Sequence, residues 1–208
     1  DELGKNGDSV ISIQMMRSIS GTVDAARQAA DITETNVTVV DSDFTSRSMG
    51  MIVKEAAKAA AEGKTVEEIL EIIEDAKNRT TLYLTVVNLD NLIKGGRISQ
   101  LMGMFSNLLN IKLFLQVING KIEIIQKGRG LKSLQKKYDE IFEQMKSAPN
   151  GIQEIGIMHA GLSDFNKGNI ARVRELFPDV PLTIVTTSPI IMSHTGVDAM
   201  AITYLENK

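Results

Sequence analysis

Apolar residues along the first part of the chain alternate between short continuous runs and helical spacing. The runs SVISIQM (9–15) and VTVVD (37–41) are rich in Val and Ile, which predicts buried strands. Helical spacing predicts helices at 22–32, 48–63 and 65–79. This alternation predicts a parallel sheet, but two strands are too few for a parallel sheet covered on both faces. We therefore expect this half to be incomplete and to lack an N-terminal segment that carries further strands.

Local signals mark the ends of two of these helices. Thr65 followed by Glu68 forms the pattern of a capping box, which predicts a helix start at this point. Gly63 stands where the preceding helix needs a residue that tolerates the left-handed conformation. The two signals place a break between two consecutive helices.

The pattern changes after Arg79. Asn119-Gly120 between the apolar runs 112–118 and 121–127 is typical of a β-hairpin. The other predicted elements are strands at 82–87, 152–160, 182–187 and 199–206, and helices at 89–94, 98–109, 131–147 and 169–177. The chain is therefore predicted to be an α/β protein of two domains. An incomplete parallel-sheet domain spans 1–79, and a second α/β domain with a mixed sheet spans 80–208.

Composition excludes several classes of function. The net charge of −3 argues against a nucleic-acid-binding domain, which is normally basic. The absence of cysteine excludes a thiolate nucleophile and a metal site built from cysteines. The chain has only two histidines, which argues against a metal site built from histidines. The longest apolar run, 101–118, is interrupted by polar residues and does not predict a membrane span. We expect a cytoplasmic protein without a cofactor, with at most transient membrane contact.

Two loops follow the first two strands and could bind an anion. In SISGT (18–22), Ser20 and Thr22 offer hydroxyls and Gly21 allows close approach to a helix N-terminus, which suits a carboxylate or phosphate. Taken alone, ordinary helix capping by Ser or Thr is the favoured interpretation of this loop. The loop DSDFTSRSMG (41–50) would lie at the same carboxyl edge of the sheet. There, capping by a serine, Ser42 or Ser46, is the favoured interpretation.

A flexible basic loop, KGGR (94–97), separates two apolar helical segments. Gly95 and Gly96 would expose the backbone, and Arg97 offers a bidentate fork to carboxylate or phosphate oxygens. This loop is interpreted as contacting an anion, with a solvated surface turn as the alternative. KGRG (127–130) has a similar composition, but it follows a hairpin and is predicted to be a surface turn.

The two histidines have different settings. His159 ends a buried strand and is interpreted as a core or strand-end residue. His194 lies in a loop beside Thr195 and Gly196 and could donate to an anion, although a structural loop histidine is the favoured interpretation of this residue taken alone. A serine–histidine hydrolase is disfavoured, because no G-x-S-x-G elbow occurs and no acidic partner can be named. The phosphate-loop and dinucleotide-binding motifs are also missing.

Several anion-binding loops without a catalytic motif predict a binding protein. The alternative is an enzyme acting on a small phosphorylated or carboxylated metabolite, with Arg97 as anchor and His194 as acid or base.

These same segments resemble, in order along the chain, the motifs of the DegV family of bacterial fatty-acid-binding proteins, which includes subunits of fatty acid kinase. The similar segments are ISIQMMRSISGT, VVDSDFTSRSMGM, LDNLIKGGRIS, NGKIEIIQKGRGLKSL and SHTG. The resemblance implies a non-catalytic protein that holds one long-chain fatty acid between two domains. A separate kinase subunit with a dihydroxyacetone-kinase-like domain would convert the bound acid to an acyl phosphate.

Carried over by motif, Ser20, Thr22, His194 and Thr195 would bind the carboxylate. The loop of Arg97, Gly95 and Gly96 would receive the phosphate. The apolar wall for the acyl chain would follow directly, in residues Met102, Met104, Phe105, Leu108 and Leu109, although core packing is the favoured interpretation of such a pattern.

Two features depart from the family pattern. The N-terminal T-S-Q-P-S-type motif is not found, and HTGVDA stands where the family has H-T-G-P-G-A. Asp198 therefore adds a negative charge beside the expected head-group site, and Val197 replaces a rigid proline.

Overall fold

The structure, a computed structural model, describes residues 2–96 and 110–208. The chain divides into two compact units, residues 1–79 with 119–121, and residues 80–118 with 122–208. The assignment of these units as separate domains stays a prediction. The mixed α/β class is confirmed, because helices alternate with strands in both units.

The first unit is built on a small parallel sheet. Its elements are β1 (Val10–Gln14), α1 (Thr22–Ile32), β2 (Val37–Asp41), α2 (Ser46–Ala61) and α3 (Val66–Arg79). The two strands pair in parallel over their whole length, from Val10 with Val37 to Gln14 with Asp41. All five residues of β1 are partly exposed, so the described part of this unit leaves an apolar strand incompletely covered.

The second unit is built on a larger mixed sheet. Its elements are β3 (Thr80–Val86), α4 (Asp90–Gly95), β4 (Ile111–Ile118), β5 (Lys121–Arg129), α5 (Leu131–Lys146), β6 (Ile152–His159), α6 (Asp164–Leu176), β7 (Leu182–Thr186), α7 (Pro189–Thr195) and β8 (Met200–Glu206). The strand order is β5-β4-β3-β8-β6-β7. β6 and β7 run parallel, whereas β8 pairs antiparallel with both β3 and β6. The carboxyl ends of β3, β6 and β7 therefore meet at one edge of the sheet.

Local sequence signals explain two of the boundaries. The Thr65 backbone N–H donates to Glu68 Oε2 at 2.7 Å, and the Glu68 N–H donates to Thr65 Oγ1 at 3.3 Å, so the predicted capping box is confirmed. Asn119 and Gly120 have φ of 49° and 68° at the predicted hairpin turn. Two consecutive positive φ values define the type I′ turn that Asn-Gly favours, which confirms the hairpin.

The two faces of the larger sheet are covered by different helices. Leu113 and Leu115 of β4 pack with Leu89 and Leu92 at α4. Phe114, between those leucines, joins the main core cluster, which includes residues of α5 and α6. Because neighbouring strand residues point to opposite faces, α4 lies on one face of the sheet and α5 and α6 lie on the other.

Four sequence-based expectations differ from the structure. The helix predicted at 169–177 begins at Asp164, because Ser163 caps it by accepting from the Asn166 N–H at 3.4 Å. The loop after β7 contains the helix α7, capped by Ser188 with a proline in its first turn. The predicted surface turn at 127–130 is wrong, since β5 extends to Arg129 and only Gly130 turns, with φ of 75°.

The α2 helix begins at Ser46 rather than at residue 48. The helix predicted at 98–109 lies outside the described residues.

Candidate functional site

The loops that follow β1 and β2 are joined by hydrogen bonds. The Met16 N–H donates to the Phe44 carbonyl at 2.8 Å, and the Ser42 N–H donates to the Gln14 carbonyl at 3.0 Å. The Arg17 N–H donates to the Asp41 carboxylate at 3.2 Å. The two polar loops therefore lie side by side at the carboxyl edge of the first sheet, as parallel pairing requires.

Ser20 and Thr22 meet at the start of α1. The Thr22 N–H donates to Ser20 Oγ at 3.3 Å, and Ser20 Oγ donates to Thr22 Oγ1 at 3.2 Å. Ser20 is partly exposed and Thr22 is exposed. The pair combines two accessible hydroxyls with the positive end of a helix of 11 residues, which can hold an anion or simply cap the helix.

Ser42 does not cap α2. Its hydroxyl accepts from the Phe44 N–H at 3.2 Å and donates to the Phe44 carbonyl at 3.0 Å, and the residue is fully buried. Ser46 lies inside the first turn of α2, after the cap residue Thr45, which makes no side-chain capping bond. The expected capping by Ser42 or Ser46 is therefore wrong, and Ser42 instead closes a turn within the loop.

The two glycines of the KGGR loop have separate structural roles. A Cβ placed on Gly95 would lie closer than 3.0 Å to Nδ1 of His194, so only glycine leaves room for that ring. Gly96 ends α4 in the left-handed conformation, with φ of 66° and its N–H donating to the Ile93 carbonyl at 3.2 Å. Arg97 lies outside the described residues, and so do the five apolar residues predicted to follow it as an acyl wall.

His194 lies in the last turn of α7 and is half-buried. Its Nδ1 is shielded from solvent and has no hydrogen-bond partner among residues 2–96 and 110–208. Thr195 is buried, and its hydroxyl donates to the Ile191 carbonyl at 3.0 Å. The structure therefore brings Gly95, His194 and Thr195 together in the second unit, and Ser20 and Thr22 together in the first.

Asp198 occupies a position that favours glycine. Its φ is 64°, a left-handed conformation that aspartate tolerates better than most residues. A Cβ on Gly161 would lie 2.6 Å from Asp198 Oδ1, which shows that the carboxylate packs against the Gly161 backbone. This position therefore requires a left-handed conformation, and this chain meets the requirement with a charged residue.

Sequence reasoning placed His159 correctly and missed two asparagines. His159 ends β6 and is buried, as predicted. Asn91 Nδ2 donates to the Ser193 carbonyl at 3.0 Å, and Asn166 Nδ2 donates to the Asp198 carbonyl at 3.1 Å. Asn91 lies within the segment LDNLIKGGRIS, but at a variable position of the motif that the segment resembles, and Asn166 lies in no motif found in the sequence.

The described residues offer neither a metal-binding cluster nor a membrane-spanning helix. No group of three or more His, Cys, Asp or Glu side chains there could hold a metal ion. Among those same residues, no helix is both long enough and apolar enough to cross a membrane.

The fold and the loops define an α/β protein with polar loops at the carboxyl edges of its two sheets. The profile of the family described as "Uncharacterised protein, DegV family" matches residues 1–207, and the chain belongs to this family. A DegV domain-containing protein of Streptococcus pneumoniae is 41% identical over 202 residues, which cover 97% of this chain and 71% of the relative. A DegV domain-containing protein of Listeria innocua is 39% identical over 199 residues, or 95% and 70% of the two chains.

Solved structures of the family share the fold. DegV of Bacillus subtilis, described as a fatty acid binding protein, is 26% identical with a TM-score of 0.84, over 99% of this chain and 73% of that one. The fatty acid kinase B3 protein of S. pneumoniae, loaded with linoleic acid, is 25% identical with a TM-score of 0.80, over 99% and 74%.

Proposed function

We propose that this protein binds one long-chain fatty acid without catalysing its conversion. Ser20, Thr22, His194 and Thr195 would contact the carboxylate, and Arg97 with Gly95 and Gly96 would receive the phosphate of an acyl phosphate. A separate kinase subunit with a dihydroxyacetone-kinase-like domain would transfer that phosphate from ATP. Such a carrier would act in the cytoplasm, where the kinase subunit has access to ATP.

The observation that carries the proposal is the setting of His194. Its ring is seated against the Gly95 backbone, and its shielded Nδ1 has no partner among the described residues. Leaving a shielded polar atom unpaired costs about 1–3 kcal/mol, so such an atom calls for an explanation, and a bound ligand would supply one. Family members described as fatty acid binding proteins support a carboxylate as that ligand.

The energetics of an acyl chain fit a carrier with few polar contacts. Each buried methylene contributes about 0.8 kcal/mol, so a long chain supplies most of the affinity. The polar loops then have only to select the head group, and one or two hydrogen bonds are enough to prefer a carboxylate over an alcohol.

The first experiment is mass spectrometry of an organic extract from the purified protein, with heat-denatured protein treated identically as the control. About one long-chain fatty acid per chain is expected from the native protein. The delipidated protein is then titrated with oleic acid and with oleyl alcohol. Recovery of a small phosphorylated or carboxylated metabolite, together with no binding of oleic acid, would overturn the proposal and favour an enzyme.

The second experiment concerns Arg97. With a fatty acid kinase subunit and ATP, we expect Arg97→Ala to slow acyl phosphate formation more strongly than it weakens fatty acid retention. Arg79→Ala is the control for the loss of an arginine elsewhere in the chain. Arg79 forms ion pairs with Asp75 and Glu55, and no role in binding the ligand is proposed for it. Equal loss of both properties in Arg97→Ala would contradict the phosphate role.

A further inference from the structure

The segment that carries His194 is too short to fix the ring by itself. α7 spans only Pro189–Thr195 and ends at Gly196, and isolated helices of two turns are unstable in water. The segment crosses the sheet edge between the ends of β6 and β7 and the start of β8. Its position must therefore depend on contacts with neighbouring elements.

One contact comes from the face of the sheet that α4 covers. Asn91, in the first turn of α4, donates its side-chain amide to the Ser193 carbonyl at 3.0 Å, one residue before His194. α4 is anchored by Leu89 and Leu92, which pack among the leucines of β4. The same helix ends at Gly95, on which the His194 ring rests.

A second contact comes from the opposite face, where α6 packs. Asn166 lies in the first turn of α6 and is 1% exposed. Its amide nitrogen donates to the Gly161 carbonyl at 3.0 Å and to the Asp198 carbonyl at 3.1 Å. Both amide protons are thus used to tie the loop after β6 to the loop after α7. The Asp198 N–H, which donates to the Ala160 carbonyl at 3.3 Å, reinforces this connection.

We propose that Asn91 and Asn166 are positioning residues that hold the His194 ring from the two faces of the sheet and so set the selectivity for a carboxylate head group. The inference rests on the proposed function for its ligand, but the ring position can be measured without any ligand. The side-chain amides of the two asparagines donate to the backbone carbonyls of Ser193, Asp198 and Gly161, so we expect their effect on a ligand to pass through the position of the histidine.

The test substitutes Asn166→Asp, which keeps the shape of the side chain and replaces its two donated protons with an acceptor. The matched control is Asn169→Asp, one turn further along α6. Asn169 is equally buried at 1% exposure, and its amide donates to the Phe165 carbonyl at 3.1 Å and pairs with Gln135. Both variants bury a carboxylate on the same helix, but only Asn166→Asp breaks a bond to the His194 segment.

Two readouts separate positioning from general destabilisation. The first is the NMR signal of the His194 imidazole in the ligand-free protein, assigned by comparison with His194→Ala. It should shift in Asn166→Asp and stay in place in Asn169→Asp. The second is the ratio of the affinities for oleic acid and oleyl alcohol, which should fall about tenfold in Asn166→Asp only, as for the loss of one charge-assisted hydrogen bond.

A double substitution completes the test. In the His194→Ala background, Asn166→Asp should leave the acid-to-alcohol ratio unchanged, because the residue acts through the histidine. The inference is overturned if the two aspartate variants behave alike in both readouts, or if Asn166→Asp lowers the ratio further without His194. If the unsubstituted protein binds neither lipid, the proposed function fails, and the NMR signal alone decides the positioning.

The second asparagine keeps the inference testable if Asn166→Asp does not fold. Asn91→Asp removes the donor to Ser193 from a partly exposed site, where a carboxylate is tolerated. Its control is Asn88→Asp, since Asn88 is exposed and its Oδ1 accepts from the Asp90 N–H at 2.9 Å, a bond that aspartate preserves. A shifted His194 signal is expected in Asn91→Asp and not in Asn88→Asp, and identical signals would overturn the inference.

Discussion

Gly95 and His194 are in direct contact, and the backbone of the glycine forms the seat for the imidazole ring. Gly95 is the last residue of α4, and its φ is not positive, so its backbone conformation alone would accept alanine. The requirement for glycine at this position is therefore steric and comes from the histidine. This contact gives the first glycine of the KGGR loop a function in placing a side chain.

Gly95→Ala is expected to displace the His194 ring, because the added methyl group would overlap Nδ1. The affinity for oleic acid should fall about tenfold, the size expected when one charge-assisted hydrogen bond to the carboxylate is lost, and the affinity for oleyl alcohol should change little. Isothermal titration with both lipids measures the two values.

Gly168→Ala is the matched control for that substitution. Gly168 lies inside α6, and a Cβ there meets no atom within 4 Å. The control should raise the free energy of unfolding by about 0.5–1 kcal/mol, because alanine has the higher helix propensity, and should leave the lipid preference unchanged. Retention of full carboxylate selectivity in Gly95→Ala would contradict the seating role.

Asp198 gives a prediction about charge. Asp198→Asn keeps a residue that tolerates φ of 64° and removes a negative charge from the loop that follows His194. Oleic acid should bind about two- to fivefold more tightly at low ionic strength, and the gain should shrink as salt screens the charge. Affinity that is unchanged at low salt would show that this carboxylate is too distant to affect the head group.

The backbone at the same position can be tested separately. Asp198→Gly should preserve the stability of the fold, since glycine adopts a left-handed conformation without a steric cost. Asp198→Val should lower the free energy of unfolding by at least about 1 kcal/mol, because a β-branched residue is strained there. Chemical denaturation measures both variants, and equal stability would show that the loop adjusts its conformation.

Local patterns in the sequence were sufficient for much of the fold. The capping box at Thr65 and the hairpin turn at Asn119-Gly120 involve residues adjacent in the chain, so their chemistry can be recognised directly. α7 was missed because its apolar run is short, although Ser188 followed by Pro189 is a recognised helix start. The cap at Ser163 was missed because Gly168 interrupts the helical pattern in the first half of α6.

The candidate site was only partly accessible from sequence. Ser20 and His194 could be selected because their residue types and loops suit an anion. The seat at Gly95 and the ties at Asn91 and Asn166 join residues that are far apart in the chain, and no local pattern encodes such contacts. The glycine pair is conspicuous in the sequence, but the steric role of Gly95 could be inferred only from the fold, which brings α4 beside α7.

The capping box offers a test of local stability in the first unit. Thr65→Ala removes the hydroxyl that accepts from the Glu68 N–H, and the free energy of unfolding should fall by about 1 kcal/mol. Glu68→Gln should have a smaller effect than Glu68→Ala, because glutamine can still accept from the Thr65 N–H. Equal effects of the two substitutions at Glu68 would show that the reciprocal bond contributes little.

The three tyrosines predict how stability depends on alkaline pH. Burial, with Tyr204 adding a smaller effect, raises the pKa of Tyr83 to about 12. Burial also raises the pKa of Tyr138 and of Tyr204 above the ordinary value near 10. In the unfolded chain these phenols lose their protons first, so their contribution to stability is complete below pH 10 and is lost as the pH rises from about 10 towards 12.

Spectrophotometric titration of phenolate checks this directly, because the chain has only three tyrosines and all are buried. The folded protein should form less phenolate at pH 10.5 than the denatured protein, which should be more than half ionised, given an ordinary pKa of about 10. Tyr138→Phe removes one phenol and its hydrogen bond with Thr85, which is 2.8 Å long. That variant should be less stable at neutral pH but should lose stability less steeply above pH 10. A decline as steep as in the unsubstituted protein would exclude Tyr138 as a cause of alkaline unfolding.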